Sequence, residues 1–126
     1  VSDRDAVVAL SHRQDAATGA LHLFAVAAPE GYPPMRERVR IPRMQSGWVV
    51  TPVSASVTEI QLNGNADPGG RIPVWLSNLV VTLMPKETLK NLRTRLQAPG
   101  SVSATILYSD PRVKKMIGDV KFPEHD

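Results

Sequence analysis

The side chains that could perform chemistry are few and widely spaced in this 126-residue chain. His12, His22 and His125 show none of the short spacings that are typical of metal ligands. Cysteine is absent, which excludes disulfides, thiolate nucleophiles and zinc–thiolate sites together. We therefore expect the histidines to be ordinary surface or hydrogen-bonded residues, and we expect neither a metal site nor a cofactor.

The serine and glycine motifs give no stronger indication of catalysis. No serine lies in a Gly-x-Ser-x-Gly nucleophile elbow. The run from Gly64 to Gly70 is rich in glycine, but no Lys-Ser or Lys-Thr follows it, so a turn is favoured over a phosphate loop. We expect Asp67, inside this run, to hold the turn or to cap the next helix rather than to act in catalysis.

The charge balance is only mildly basic, with 15 Lys and Arg against 12 Asp and Glu. A nucleic-acid binder usually has denser basic clusters and aromatic side chains placed for stacking, so we expect no nucleic-acid partner. No apolar run approaches the roughly 20 residues of a membrane span. The chain begins Val-Ser-Asp without an initiator methionine, so we expect that upstream residues were removed. A signal sequence could have been among them, and both cytoplasm and periplasm stay open as locations.

Alternating apolar residues predict a hairpin in the first third of the chain. A strand is predicted from Arg4 to Arg13, a turn over 15–19, and a second strand from Ala20 to Ala28. The segment from Pro29 to Met35 contains three prolines and a glycine, which is predicted to exclude regular structure.

Two further strands are predicted in the middle of the chain. One runs from about Arg38 to Val53, with a bend or bulge expected over 44–47. The other runs from Ser56 to about Asn65, where Ile60 and Leu62 share one face and polar residues occupy the other. This alternation predicts a sheet with one apolar face and one solvated face.

A long helix is predicted from Ile72 to Gln97, after a Pro-Gly-Gly turn that no strand can cross. Its first half, Ile72 to Met84, is apolar on nearly all sides and predicts burial on more than one side. Its second half, Lys86 to Gln97, is amphipathic. Pro85 lies between the halves, and either one kinked helix or two abutting helices would fit. Beyond it, a short strand over 101–108 and a short helix from Pro111 to Met116 or Ile117 are predicted.

Part of the chain closely resembles the last third of a START (StAR-related lipid transfer) domain of a bacterial protein. The resemblance lies in the strand Trp48–Pro52, the turn Asp67–Leu76 and the helix that follows. The resemblance implies an α+β helix-grip fold, in which a curved antiparallel sheet wraps a long C-terminal helix. It also favours a single kinked helix. Residues 1–97 would form the C-terminal part of such a domain, and residues 98–126 would be an extension of unknown role.

The resemblance further implies a tunnel under the helix that holds a hydrophobic ligand. Leu10 replaces an arginine that sterol-binding members often carry, and Ala6 replaces a phenylalanine, which argues against sterol specificity. The same apolar side chains would also suit an ordinary filled core. The implied ligand-facing residues are Ala6, Val8, Leu10, Ile60, Leu62, Val81, Met84 and Thr88.

The loop from Pro29 to Glu37 resembles the family's lid, with Tyr32 and Met35 at its tip. These two side chains could insert into a membrane interface or pack on the helix. The basic residues near the lid and on the helix could dock on anionic lipid headgroups, each contributing about 1 kcal/mol, or could simply be solvated. They are Arg36, Arg38, Arg40, Arg43, Lys86, Lys90, Arg93 and Arg95.

A whole START domain has a further helix, three strands and two helices before this region. Without them one sheet edge would be open, so we expect a piece of a longer protein or half of an assembly, such as a homo-oligomer, in which a partner closes the sheet. The predicted function is binding, and transfer, of a phospholipid, fatty acid or sterol. The alternatives are an enzyme of the polyketide cyclase or aromatase type and a ligand-sensing regulatory module.

Overall fold

The computed structural model describes residues 2–100, 111–118, 120 and 121. The strands are β1 (Arg4–Asp5), β2 (Val8–Gln14), β3 (Leu21–Ala27), β4 (Val39–Arg40), β5 (Arg43–Ser54) and β6 (Val57–Asp67), and the helices are α1 (Val74–Gln97) and α2 (Pro111–Ile117). Strands β2, β3, β5 and β6 form one antiparallel sheet in that order, and β1 pairs with β4 in parallel. The predicted α+β arrangement, a sheet with one long helix after it, is confirmed.

The first predicted strand is divided into β1 and β2. Arg4 and Asp5 pair with β4, whereas the chain from Val8 onward pairs with β3. The strand therefore changes partners at residues 6–7. The predicted turn that follows is confirmed, because Asp15 Oδ1 accepts hydrogen bonds from the backbone amides of Ala17 and Thr18 at 2.9 and 2.8 Å.

The bend predicted at 44–47 is wrong, since β5 continues through it. The break lies earlier, at Pro42, because proline has no N–H to donate to a ladder. Gly47 within this strand lies opposite Asn63 of β6. A Cβ at Gly47 would lie 2.8 Å from Asn63 Oδ1, so the Asn63 side chain would have to shift to accept one.

A single helix, α1, passes through Pro85, which confirms one helix rather than two. It begins at Val74, two residues later than predicted, with Pro73 at the N-cap position. The predicted burial on several sides is wrong: Trp75 is 68% exposed and Met84 is 60% exposed. The helix α1 packs on β6, so the sheet covers one side of the helix.

The segment from Pro29 contains one 3-10 turn, Pro29–Gly31, where no regular structure was predicted. The short helix predicted from Pro111 is confirmed as α2, whereas the strand predicted over 101–108 lies outside the described residues. No described helix is long and apolar enough to cross a membrane. Within the described ranges no three side chains are grouped to hold a metal ion.

Little of the described chain is buried. Among the described apolar residues, Ala20, directly before β3, is the buried one, at 6% exposure. Much of the apolar surface of the sheet and of α1 is open to solvent, since Leu10 is 68% exposed, Val74 is 74% exposed and Leu96 is 62% exposed.

Candidate functional site

Apolar side chains form a band across the face of the sheet that meets α1. Alternation along the strands places every second residue on this face. Leu23 on β3 lies opposite Trp48 on β5, and Trp48 lies opposite Leu62 on β6. The two apolar residues predicted on β6, Ile60 and Leu62, are half-buried on this face, whereas Gln61 between them is exposed. The predicted apolar and solvated faces are confirmed.

The first groove lies between this band and α1 and has a volume of about 290 Å³. It brings together four of the predicted ligand-facing residues, one from β6 and three from the helix. The Thr88 hydroxyl donates its hydrogen to the Met84 carbonyl oxygen at 2.8 Å, so its one donor is used within the helix. The groove is therefore mainly apolar. Its main side chains are Met44, Trp48, Leu62, Val81, Met84, Pro85 and Thr88.

The second groove lies on the other side of Trp48, over β2 and β3, and measures about 240 Å³. Leu10 lines it and is 68% exposed, the most open of its leucines. Because Trp48 lines both grooves, it forms the partition between them. The main apolar side chains of the second groove are Leu10, Leu21, Leu23, Trp48 and Val120.

The other predicted ligand-facing residues lie elsewhere. Ile60 lines a separate depression at the far end of α1 with Leu89 and Leu92. Ala6 lies between β1 and β2, and Val8 begins β2, outside the lining of both grooves. A larger depression of about 750 Å³ lies beside the β2–β3 turn, and none of the predicted ligand-facing residues lines it.

Trp48 and Met44 are the residues that sequence reasoning missed. Both lie at even positions of β5, together with Ser46 and Val50, and so share one face. The signal that could have identified Trp48 is its cross-strand pairing with Leu62. That pairing can be recognised only when the register of β5 against β6 is known.

A half-buried ion pair holds the loop that resembles a lid. The Nε and Nη2 atoms of Arg40 donate to Asp5 Oδ2 at 2.9 and 2.6 Å. The same guanidinium donates to the carbonyl oxygens of Pro29, Tyr32 and Pro33 at 3.0–3.1 Å. The two side chains are 12% and 10% exposed, so Arg40 is not available for membrane docking. The hydrogen bond from Arg40 lowers the pKa of Asp5, and the pair raises the pKa of Arg40.

Arg4 connects the same strand to the turn before α1. Its side chain donates to the carbonyl oxygens of Pro68 and Gly69 at 3.2 and 3.3 Å. Asp67 holds this turn by accepting a hydrogen bond from the Gly69 amide at 3.0 Å. Holding the turn was one of the two roles predicted for Asp67. The bond from Gly69, with a weaker contribution from Arg43, lowers the pKa of Asp67. β1 therefore joins the loop and the start of the helix.

Most of the proposed lid and docking residues are open to solvent. Tyr32 and Met35 on the loop are both exposed. The exposed basic residues include Arg36 and Arg38 on the loop and Lys86, Lys90 and Arg93 on α1. Lys90 is partly compensated, because its Nζ atom lies 3.8 Å from a Glu87 carboxylate oxygen.

Comparison with known proteins identified a relative and a similar solved structure. No family model matches the chain. An uncharacterized protein of Pseudomonas aeruginosa is 33% identical over 94 residues, which are 75% of this chain and 46% of that protein. The crystal structure of a STAR-related lipid transfer protein (fragment 25–204) from Xanthomonas axonopodis is 33% identical, with a TM-score of 0.67, over 78% of this chain and 55% of that one.

The chain thus spans about half the length of each protein that it matches. The sheet order, the long helix after β6 and the match to the Xanthomonas structure agree with the resemblance drawn from Trp48–Pro52 and Asp67–Leu76. The chain therefore has a START-like fold, and it is similar to a bacterial STAR-related lipid transfer protein.

Proposed function

We propose that this chain forms part of a binding site for a lipid, with an acyl chain lying in the two grooves that meet at Trp48. The observation that carries the proposal is the apolar groove between the sheet and α1, with few polar groups in its lining. Small-molecule sites are typically of this kind. Similarity to a lipid transfer protein supports the same ligand class.

Burial of exposed apolar surface would drive binding. Met84 and Leu10 are 60% and 68% exposed, so a ligand over them would remove apolar surface from water. About 200 Å² of such surface would contribute about 5 kcal/mol before the costs of association. An apolar Leu10 suits an acyl chain better than the polar end of a sterol.

We further propose that the ligand is transferred at anionic membrane surfaces. Arg36 and Arg38 on the loop, and Lys86, Lys90 and Arg93 on α1, are exposed. Each basic residue near an anionic surface contributes about 1 kcal/mol, so binding to vesicles should weaken as salt is added. Tyr32 and Met35 are exposed on the same loop and would contact the interface.

The two tryptophans offer a direct test with a matched control, because Trp48 lies in the grooves and Trp75 lies exposed at the start of α1. In Trp75→Phe, Trp48 is the sole tryptophan, and its fluorescence should be quenched by a brominated fatty acid until the binding site is saturated. In Trp48→Phe, the remaining Trp75 should show no saturable quenching. Quenching of Trp75 alone, or of neither residue, contradicts the proposal.

Native mass spectrometry of the same protein reports ligand stoichiometry and the number of chains together. A lipid that copurifies at a fixed ratio supports a binding site, and a ligand present only in a dimer indicates that a second copy completes it. Conversion of the bound ligand into a product would instead identify an enzyme of the cyclase type.

A further inference from the structure

The chain after α2 returns to the sheet and is held there by Gln14, the last residue of β2. The backbone amide of Lys121 donates to Gln14 Oε1 at 2.7 Å, and Gln14 Nε2 donates to the Lys121 carbonyl oxygen at 2.7 Å. Gln14 Nε2 also donates to the Gly19 carbonyl oxygen at 3.1 Å. The side-chain amide thus binds both main-chain polar groups of one residue, as a neighbouring strand would.

This clamp has one workable orientation. With the amide of Gln14 reversed, its oxygen would face the carbonyl oxygens of Gly19 and Lys121, and its nitrogen would face the Lys121 amide. The turn carbonyl of Gly19 therefore sets which way Gln14 points. The tail is held by a side chain that the hairpin has already fixed.

The clamp also determines which face of the sheet receives the tail. Gln14 lies on the same face of β2 as Leu10 and His12, since alternate residues share a face. Val120, the residue before the clamped one, lines the second groove with Leu10 and Trp48. Val120 is half-buried there, so a residue of the C-terminal extension forms part of the groove lining.

We propose that Val120, held in place by the bonds between Gln14 and the main chain of Lys121, forms the end wall of the second groove and limits the length of the acyl chain that the groove accepts. This inference rests on the proposed lipid binding. The main chain of Lys121 makes the bonds and the side chain of Val120 closes the groove, which assigns a specificity role to the extension after residue 98.

The first test measures the clamp in the whole chain without any ligand. Gln14→Ala removes both bonds, so exchange of the Lys121 amide hydrogen should become about tenfold faster. Lys121→Ala should leave exchange slow, because the bonds use the main chain. Gln61→Ala is the matched control: this exposed glutamine lies on the opposite sheet face and donates to Glu59 at 2.7 Å. Equal exchange in wild type and Gln14→Ala would overturn the clamp.

The second test measures chain-length preference with saturated fatty acids of increasing length. In Gln14→Ala the preferred length should increase, since each additional methylene that fits raises affinity about fourfold. Val120→Trp should shift the preference to shorter chains, and Gln61→Ala should not change it. Faster amide exchange with an unchanged length preference would overturn the wall. If the wild-type protein binds no fatty acid, the proposed function is overturned, and so is the proposed role of Val120 as an end wall. The exchange measurement would still show whether Gln14 holds Lys121.

Discussion

Replacing Met84 by arginine should abolish lipid binding while the chain stays folded. Met84 lines the first groove with Trp48 and Leu62, so an arginine there would place a cation among apolar side chains. Met84 is already 60% exposed, and the substitution therefore removes little buried surface. Leu83→Arg is the matched control, because the next position on an α-helix points about 100° away and Leu83 lies outside the groove lining.

The expected loss can be estimated from the groove itself. An arginine side chain that fills part of the 290 Å³ volume displaces about three methylene groups of an acyl chain. At about 0.8 kcal/mol per methylene, binding weakens by about 2.4 kcal/mol, or roughly 60-fold. Removing the guanidinium from water would add to this loss. The cost to folding is smaller, about 1 kcal/mol, because less than half of the Met84 side chain is buried.

Titration with a fluorescent fatty acid measures the binding constant, and circular dichroism at several temperatures measures folding. We expect Met84→Arg to melt close to wild type and to bind at least about 60-fold more weakly, and we expect Leu83→Arg to bind like wild type. A folded Met84→Arg protein with unchanged affinity would refute the location of the ligand under α1. Equal losses in both variants would indicate a general effect of charge on the helix.

Three further outcomes are expected. Arg40→Gln should speed exchange of the amide hydrogens of Glu30, Gly31 and Tyr32, measured by mass spectrometry, because one guanidinium binds three carbonyl oxygens of that segment. Unchanged exchange would contradict the role of Arg40 as the anchor. The pKa of Asp5 is lowered in the folded chain, so its stabilising effect is present above about pH 3.9 and is lost as the pH falls through the lowered pKa. In acid, the unfolding temperature of Asp5→Asn should therefore depend less on pH than that of wild type. Gly69→Ala should lower the unfolding temperature more than Gly100→Ala. Both glycines have positive φ, so an alanine at either position costs about 1–2 kcal/mol, but only at Gly69 would the added Cβ also lie 3.2 Å from the Arg40 carbonyl oxygen. Equal shifts in the two variants would refute this crowding.

Local pattern was sufficient for much of the architecture. The turn at Asp15–Gly19 and the alternation around Ile60 and Leu62 depend on neighbours a few residues away, and both were predicted correctly. Pro42 was the stronger local signal for the break before β5, whereas the sequence interpretation placed the bend over 44–47. Gly47, within that stretch, lies close to the Asn63 side chain, a contact between residues that are distant in sequence.

The residue type of Arg40 did not reveal its role. It follows the loop in sequence beside Arg36 and Arg38, and composition makes the three look equivalent. The structure places Arg40 against Asp5, which is 35 residues away, and leaves the other two exposed. Whether an arginine binds solvent, a membrane or a carboxylate depends on what the fold brings near it.

The sequence by itself determined the positions of the main strands along the chain, a long helical segment after the Pro-Gly-Gly turn and the resemblance to START domains, because periodicity, proline and glycine act within a few residues. The tertiary structure decided which apolar residues share a groove, since strand register puts Trp48 between Leu23 and Leu62. It also decided that Gln14 clamps the main chain of Lys121 across 107 positions. Contacts of that separation depend on the path of the whole chain, and no local pattern encodes them.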